Sequence, residues 1–360
     1  MTIHLLTGEY GPDAGGVGAY SHVLVQALTR QGVRVRVWSA ADPALKQELP
    51  AALKADSGFV LLQYVPNALG ARGANVAFCQ WLLSLRRDGT DVRVMFHEPY
   101  FYLSWNPALN ALAMVQRLMA ALLLRASSRT YVATDQWRGY LAPYAAPGTD
   151  FTLLPIPSTL PADPPADTII AWRRRLAGPG DVLVVHLGTY GDHVATELAP
   201  MVPALLQRCA HSRFVFVGRG GERFAEQLAQ KHPTFASRLH ATGPLDGVQA
   251  ACVIAACDVA LQPYPDGVTT RRTSVMAPLA LGVPTVTSRG RLTESVWSDV
   301  PSVALATASD TSAHVAATES LLRDEGSRRR LGTAGRRLYA DRFAIQRTVN
   351  VLIADAGVLR

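Results

Sequence analysis

Apolar residues follow two alternating patterns along the chain: short continuous runs typical of buried strands, and longer stretches with helical spacing. The opening run IHLLT (3–7) is followed by a glycine-rich loop, a helical pattern that Gly32 ends, and the alternating strand VRVRVW (33–38). This order predicts a βαβ unit with parallel strands. Further strand-like runs in the first half are FVLLQYV (59–65), VRVMF (92–96) and TYVAT (130–134).

The same alternation begins again after the stiff, proline-rich segment PIPSTLPADPPAD (155–167). Strands and helices then alternate from 181 to 288, and the stretch 312–357 is helical, with interruptions expected at its glycines, Gly326, Gly332 and Gly335. We therefore predict an α/β fold with two doubly wound, Rossmann-like domains that face each other across a cleft. A ligand is expected in that cleft, at the carboxyl ends of both sheets.

The strand–helix alternation and the proline-rich segment between its two halves predict the domain bounds. The predicted parts are an N-terminal Rossmann-like domain (1–157), a proline-rich linker (158–167), a C-terminal Rossmann-like domain (168–342) and a C-terminal helix (343–360) that packs back toward the first domain.

Composition narrows the class of protein. Of the 360 residues 49% are hydrophobic and 18% charged, which excludes a wholly disordered chain. The spacing of the four cysteines does not match the paired cysteines of a zinc site, so we interpret them as reduced, mostly buried thiols: Cys79, Cys209, Cys252 and Cys257. No resident metal is expected.

The net charge of +7 comes almost entirely from arginine, since Lys46, Lys54 and Lys231 are the only lysines. Arginine suits phosphate and carboxylate groups because its planar fork binds them through two hydrogen bonds. The arginine clusters are scattered along the chain and lack the interleaved aromatic residues of single-strand binders. A nucleic-acid partner is therefore not expected.

The first residues show neither a basic nor a long apolar segment, so no signal peptide is expected. The longest apolar stretch (107–126) is interrupted by Asn110, Gln116 and Arg117, which argues against a membrane span. These features predict a cytoplasmic protein. A peripheral membrane contact through the helix 107–126 and its arginines stays open as an alternative.

Glycines at the start of the first helix form the most informative local feature. Gly15 and Gly16 allow a ligand to approach the backbone, and a helix N-terminus offers free amides to an anion. A dinucleotide-binding loop is disfavoured because about eight residues separate the strand from these glycines, and the second strand ends in Trp38-Ser39 without a ribose-binding acid. A glycine turn without a ligand remains the alternative.

His97 directly follows the strand VRVMF, and Pro99 keeps the chain from entering a helix at once. We expect the imidazole on a loop at the ligand edge of the sheet. The neighbouring residues suit an acceptor site because aromatic rings with polar tips bind sugars or apolar aglycones: Glu98, Tyr100, Tyr102 and Trp105. Packing of this loop on its own domain is an equal alternative.

In the second half, strand–glycine–helix segments recur around Gly188-Thr189 and around Arg219. Arg271 and Arg272 then stand at a helix start together with Thr273 and Ser274. Two guanidiniums, hydroxyl groups and helix amides at one point predict a site for a diphosphate. The alternative is that both arginines are solvated surface residues.

These segments resemble GT-B fold glycosyltransferases, specifically the retaining group called glycosyltransferase family 4. The resemblance covers nearly the whole chain through GEYGPDAGGVGAY, FHEPY, ATGPLDGVQAACVIAACDVALQPYP and LALGVPTVTS. It implies transfer of a sugar from a nucleotide-diphosphate donor, bound mainly by the second domain, to an acceptor held by the first: a sugar, a lipid-linked molecule or another small molecule. Such enzymes usually retain the anomeric configuration without a metal, and no cofactor beyond the donor is implied.

The resemblance also assigns roles. Gly16 would approach the donor phosphates, and His97 would lie beside the transferred sugar. With the residues of the predicted anion sites added, the candidate catalytic residues are His97, Arg271 and Arg272. The candidate donor-binding residues are Gly15, Gly16, Gly188, Thr189, Arg219, Asp266, Thr273, Ser274 and Glu294.

The chain departs from the family pattern at two places. The usual glutamate pair aligns with Thr269 and Ala277, and the usual arginine–lysine clamp falls near Thr189 and Asp192. Either Arg271 and Arg272 replace the clamp while Asp266 or Glu294 replaces the ribose or sugar contacts, or the protein binds a nucleotide sugar or a partner without catalysis. A membrane-peripheral interaction module is a third hypothesis.

Overall fold

Every strand-like run of the sequence forms a strand in the computed structural model, which describes residues 2–357. Met1 and residues 358–360, which the predicted domain bounds include, lie outside these residues. The chain divides into two units. Unit 1 consists of the residues up to Ile156 and those from Ile345 onward, and unit 2 of Pro157–Ala344.

Strands and helices alternate through the first part of unit 1. In chain order they are β1 Thr2–Thr7, α1 Gly16–Arg30, β2 Arg34–Ser39, α2 Leu45–Ala55, β3 Gly58–Tyr64, α3 Val76–Arg87, β4 Val92–Phe96, α4 Pro107–Ala126, β5 Arg129–Val132, α5 Gln136–Leu141 and β6 Phe151–Leu153.

Unit 2 repeats the alternation. Its elements are α6 Ala166–Leu176, β7 Val182–Leu187, α7 Asp192–Arg208, β8 Ser212–Val217, α8 Gly221–Lys231, β9 Leu239–Ala241, α9 Gly247–Ala255, β10 Val259–Gln262, α10 Thr273–Leu281, β11 Thr285–Arg289, α11 Val296–Asp299, β12 Ala304–Thr307, α12 Thr311–Arg323 and α13 Glu325–Leu338. The helix α6 thus begins at Ala166, inside the segment predicted as linker.

The last helix, α14 (Ile345–Gly357), belongs to unit 1, where it packs against α1. Its Asp355 accepts a hydrogen bond from the Tyr131 hydroxyl at 2.7 Å and lies 3.7 Å from the Arg129 guanidinium. The backbone oxygen of Asp355 also faces Arg93, whose side chain is only 1% exposed. The chain therefore leaves unit 1, builds unit 2 and returns to complete unit 1.

Both sheets are parallel and doubly wound. The strand order in unit 1 is β2-β1-β3-β4-β5-β6, so the order reverses between β1 and β3. In unit 2 it is β12-β11-β10-β7-β8-β9, and the reversal lies between β7 and β10. There the Gln262 amide, oriented toward β7, bonds the backbone N–H and C=O of Leu187 at 2.7 and 3.2 Å. The predicted pair of Rossmann-like sheets is confirmed.

The prediction that glycines interrupt the C-terminal helix is wrong, because Gly326, Gly332 and Gly335 all lie inside α13. A Cβ on Gly332 would come within 2.2 Å of the Gly282 carbonyl oxygen, and one on Gly335 within 2.7 Å of Leu279. Glycine at these two positions lets α13 approach α10 closely, so they mark a helix–helix contact rather than a break.

The helix α4 combines two properties. Among the residues that the structure describes, it alone is long and apolar enough to cross a membrane by length and composition. However, one of its faces is packed into unit 1 through Ala113, Gln116, Met119, Ala120 and Leu123. Gln116 fixes this face by donating to the Gly73 carbonyl and accepting from the Phe101 amide. In the structure α4 is therefore a helix that packs with one face against the rest of unit 1.

Candidate functional site

Three helices of unit 2 begin at the carboxyl edge of the sheet, next to the strand-order reversal. Helices α7, α8 and α10 follow β7, β8 and β10, and within residues 2–357 no side chain caps their N-termini at Gly191, Gly220 and Arg272. By contrast, an Asp side chain caps the N-terminus of α9 and another caps that of α12. The edge thus presents backbone amides and the positive ends of helix dipoles.

Arg271 and Arg272 stand at the start of α10, and both are half-buried. The Arg272 guanidinium carbon lies 4.8 Å from the centre of the Tyr264 ring. The Tyr264 hydroxyl in turn hydrogen-bonds the Ser274 hydroxyl at 2.7 Å. Tyr264, which follows β10, therefore brings the guanidinium and the Ser274 hydroxyl to one point, where an anion would find two kinds of donor.

Glu294 holds the loop that carries these arginines. Its side chain is buried, with both carboxylate oxygens directed at Thr270: one accepts from the backbone amide at 2.6 Å, the other from the hydroxyl at 2.7 Å. The indole N–H of Trp297 donates to the same carboxylate at 3.3 Å. Because Thr270 immediately precedes Arg271, Glu294 fixes the position of the arginine pair rather than presenting its own oxygens outward.

Asp266 lies on the same edge in a more open setting. Its carboxylate pairs with Arg291 at 2.9 Å, and it is 41% exposed. The loop around it is locked by Gly267 (φ +93°), where a Cβ would come within 2.2 Å of the Thr293 hydroxyl. Asp266 therefore keeps an accessible carboxylate on a firmly placed loop.

The loops after β7 and β8 contact each other through the amide of Tyr190 and the carbonyl of Arg219, 3.1 Å apart. Gly188 is half-buried, and the side chains of Thr189 and Arg219 are exposed. Behind them His186 is buried, and burial lowers its pKa to about 3, so the ring is neutral. The structure thus gathers the predicted donor-binding residues of unit 2 at one sheet edge.

In unit 1, the loop after β1 leads to α1. Gly15 is the N-cap of this helix, and its amide donates to the Glu9 carboxylate at 3.2 Å. A Cβ on Gly16 would enter open space, as far as residues 2–357 define it. Gly15 is therefore engaged by Glu9, whereas Gly16 leaves room for an approaching group.

His97 lies one residue beyond β4, but its side chain is buried rather than exposed on a loop. The Tyr20 ring packs edge-on at 5.2 Å, and the Trp137 indole donates to the His97 carbonyl at 2.8 Å. Burial lowers the imidazole pKa to about 3, so the ring is neutral. Its Nε2 lies 2.7 Å from Gln63 Oε1, which accepts the ring proton and leaves Nδ1 with a lone pair.

The predicted acceptor residues do not form one surface. The Tyr100 hydroxyl donates to the Tyr140 carbonyl at 2.6 Å and its ring stacks under Arg117, so Tyr100 serves the packing of the loop. The Tyr102 ring packs edge-on against Tyr140 and is 41% exposed, and the side chain of Trp105 is fully exposed. Glu98 is half-buried beside His97 in the chain.

The positions at which the resemblance expects glutamates are closed to a ligand. Thr269 and Ala277 are each 1% exposed. Among the described residues, no three His, Cys, Asp or Glu side chains gather in a way that could hold a metal ion. The cysteines are free thiols, three of them buried and Cys209 half-buried.

Sequence reasoning missed three residues of this arrangement. Tyr264 was not predicted as a site residue, although a tyrosine directly before a predicted ligand loop is a signal. Gln63 stands out as the single polar residue in the run FVLLQYV. Thr270 gave no signal, because its bond to Glu294 spans 24 residues of sequence.

Comparisons with known proteins concern the family of unit 2 and the fold of the whole chain. Residues 182–324 match the family model described as Glycosyl transferases group 1, which covers most of unit 2. No curated protein matches the sequence.

Solved structures resemble the whole chain at low sequence identity. Sucrose-phosphate synthase from Thermosynechococcus elongatus is 17% identical, with a TM-score of 0.73 and all of both chains covered. Anabaena Alr3699/HepE in complex with UDP is 15% identical, with a TM-score of 0.70 and the same full coverage. WaaG, a glycosyltransferase involved in lipopolysaccharide biosynthesis, is 16% identical, with a TM-score of 0.60 and 97% and 99% of the two chains covered. The chain therefore has the GT-B glycosyltransferase fold.

Proposed function

We propose that this protein transfers a sugar from a nucleotide-diphosphate sugar to an acceptor, with retention of configuration and without a metal ion. The observation that carries the proposal is the arginine pair at the start of α10. It lies inside the stretch that matches the glycosyltransferase family model, at the edge where doubly wound sheets bind their ligands.

The chemistry requires a stabilised leaving group. The bond between the anomeric carbon and the diphosphate oxygen breaks, the acceptor oxygen bonds to the same carbon, and the acceptor proton passes to the diphosphate. Negative charge grows on the diphosphate as its bond breaks. Guanidiniums and helix amides already in place stabilise that charge most in the transition state.

Neutral groups suit the other side of the reaction. His97 carries no charge at physiological pH, so in this proposal it forms a hydrogen bond with the sugar rather than acting as an acid. With the ring proton directed at Gln63, Nδ1 accepts a hydrogen bond from a sugar hydroxyl. This role fits a residue that orients the transferred sugar.

UDP is the first nucleotide to test, because Anabaena HepE was solved with UDP and with UDP-glucose. A ligand at about 100 times its dissociation constant adds about 2.7 kcal/mol to the free energy of unfolding. We expect UDP, or another nucleoside diphosphate in the same panel, to raise the melting temperature, and the corresponding nucleotide sugar to be turned over with an acceptor. Binding of none of the nucleoside diphosphates would contradict the proposal.

Metal independence has its own test. Because Arg271 and Arg272 supply the positive charge, EDTA should leave the affinity for the nucleoside diphosphate unchanged. A loss of about tenfold in EDTA, reversed by magnesium or manganese, would show instead that the diphosphate binds as a metal complex.

A second candidate function is nucleotide-sugar binding without catalysis. The observation in its favour is that Thr269 and Ala277, where the resemblance expects the glutamate pair, are buried and are not acidic residues. The two functions predict the same nucleotide affinity but differ in turnover. Nucleotide binding with no release of nucleoside diphosphate from a panel of nucleotide sugars and acceptors would favour this candidate.

A further inference from the structure

Exposed apolar side chains are concentrated in one short stretch of the sequence of unit 1. Of the ten large hydrophobic side chains that are exposed within residues 2–357, six fall between 102 and 118. They are Tyr102, Leu103, Trp105, Leu109, Met114 and Leu118. We name this set the α4 surface. Monomeric proteins seldom expose so many neighbouring apolar groups without a partner.

Met114 and Leu118 of this set lie on the outer side of a helix that is already fixed. Met114 and Leu118 are one turn apart, 58% and 51% exposed, while Gln116 and Met119 between and beside them are buried. The hydrogen bonds of Gln116 hold the inner side to Gly73 and Phe101. The helix therefore cannot leave unit 1 to span a bilayer, but its outer side is available to lie against one.

Positive charge predominates around the α4 surface, although Asp88 is exposed at the end of α3. The sequence contains no Asp or Glu from residue 99 to residue 134. Arg125 is exposed in the last turn of α4. Arg72 is exposed next to Gly73, which Gln116 ties to α4. On the neighbouring helix α3, Arg86 and Arg87 are exposed.

We propose that the α4 surface binds the surface of an anionic lipid bilayer, with Trp105, Met114 and Leu118 entering the interface and the arginines meeting the headgroups. Interfacial helices combine an apolar side with basic residues in this way, and tryptophan prefers the boundary between headgroups and acyl chains. A second copy of the chain fits less well, because it would bring the same cations against one another.

Trp105 and His97 lie on the same loop after β4, so the bilayer contact would place that loop at the membrane. This extends the proposed transfer to an acceptor held at a lipid surface. The lipid contact itself needs no substrate, so its failure in the test below would leave the proposed transfer untouched.

The test is co-sedimentation of the full chain with vesicles of phosphatidylcholine alone and of phosphatidylcholine mixed equally with phosphatidylglycerol. We expect binding to the mixed vesicles, weakened by salt. The double variant Met114→Ser/Leu118→Ser should lower the partition coefficient about tenfold, and Trp105→Ser should lower it by a similar factor. Arg72→Gln/Arg125→Gln should reduce binding to the mixed vesicles only.

Ile170→Ser on α6 is the matched control, because Ile170 is 47% exposed in unit 2. It should bind vesicles like the unmodified protein, and thermal unfolding of all variants should show that they fold. Absence of vesicle binding, or an equal loss for Ile170→Ser, would overturn the proposal. So would light scattering that shows a dimer of the unmodified protein and a monomer of Met114→Ser/Leu118→Ser, since the α4 surface would then join two copies.

Discussion

The two units share a parallel, doubly wound sheet but differ in what each places at its carboxyl edge. Unit 2 has a pair of half-buried arginines at the start of α10 and a buried glutamate that holds their loop. Unit 1 has a buried neutral histidine, a glycine turn and exposed aromatic side chains.

This difference suits the two edges to two different kinds of ligand, which the shared fold alone does not determine. In the proposed transfer, the diphosphate needs fixed positive charge, and the arginines of the unit 2 edge would supply it. Sugar hydroxyls and apolar aglycones need neutral hydrogen-bonding and aromatic groups, and the unit 1 edge would supply these. The fold provides two equivalent edges, and the side chains decide which ligand each edge suits.

The largest effect is expected from His97→Ala. Removing a group that acts on the transferred sugar should lower turnover about a hundredfold or more while the affinity for UDP changes little. His211→Ala, which removes an exposed histidine from the other end of the unit 2 sheet, serves as the control. Near-normal turnover of a folded His97→Ala protein would assign His97 a purely structural role.

The arginine pair should show the next largest effect. Truncating the arginine that contacts the diphosphate, in Arg271→Ala or Arg272→Ala, removes a charge-assisted pair of about 1.5 to 3 kcal/mol, which is a loss of about ten- to a hundredfold in UDP affinity. Affinity for uridine should barely change, since the nucleoside carries no diphosphate.

Calorimetric titration of both variants with both ligands measures this difference. Arg174→Ala, on the exposed side of α6, is the matched control. Equal, small losses of affinity for UDP and uridine in both variants would show that Arg271 and Arg272 do not contact the diphosphate. The contrast between the two sheet edges would then not hold.

Glu294→Gln should have a smaller effect of a different kind. Because the amide cannot accept through both of its polar atoms, the bonds to Thr270 are disrupted and the arginine loop shifts. We expect a loss of several-fold to about tenfold in UDP affinity, and non-additivity with Thr270→Val, since both variants break the same pair. Asp266→Asn, an exposed acid on the same edge, should lose less than about 1 kcal/mol. Additive losses would show that Glu294 does not act through Thr270.

The smallest effect concerns pH and compares the two units directly. His97 and His186 are buried with a pKa lowered to about 3, whereas an unfolded histidine takes up its proton near pH 6.5. Below pH 6.5 the unfolded state therefore binds more protons than the folded state. The free energy of unfolding is highest above pH 6.5 and falls as the pH falls toward 3. The slope approaches about 1.4 kcal/mol per pH unit for each histidine.

Denaturant unfolding between about pH 6.5 and 5 tests this before most carboxylates titrate. His97→Gln should flatten the pH dependence of unit 1, and His186→Gln that of unit 2. A slope that neither substitution changes would mean that these histidines are not held neutral.

Periodicity was sufficient to predict most strands and helices, because apolar runs and helical spacing report burial directly. The short strands β6 and β12, of three and four residues, were not predicted. It failed at Gly332 and Gly335, since a glycine that breaks a helix and one that admits a neighbouring helix look the same in sequence. The arginine pair was found because four polar residues stand together at a helix start. The Glu294–Thr270 and His97–Gln63 pairs were not, because their partners are 24 and 34 residues apart and only the fold brings them together.

The return of the chain to unit 1 through α14 also sets the order in which the protein can be completed during synthesis. Tyr20, Arg93 and Tyr131 are buried, and each has a partner on α14, in Thr348 or Asp355. Those partners leave the ribosome only after all of unit 2. Although N-terminal regions usually fold first, here unit 2 has its full sequence available before unit 1 does. A nascent chain stopped before Ile345 would therefore contain all of unit 2 but an incomplete unit 1, and would be a target for chaperones.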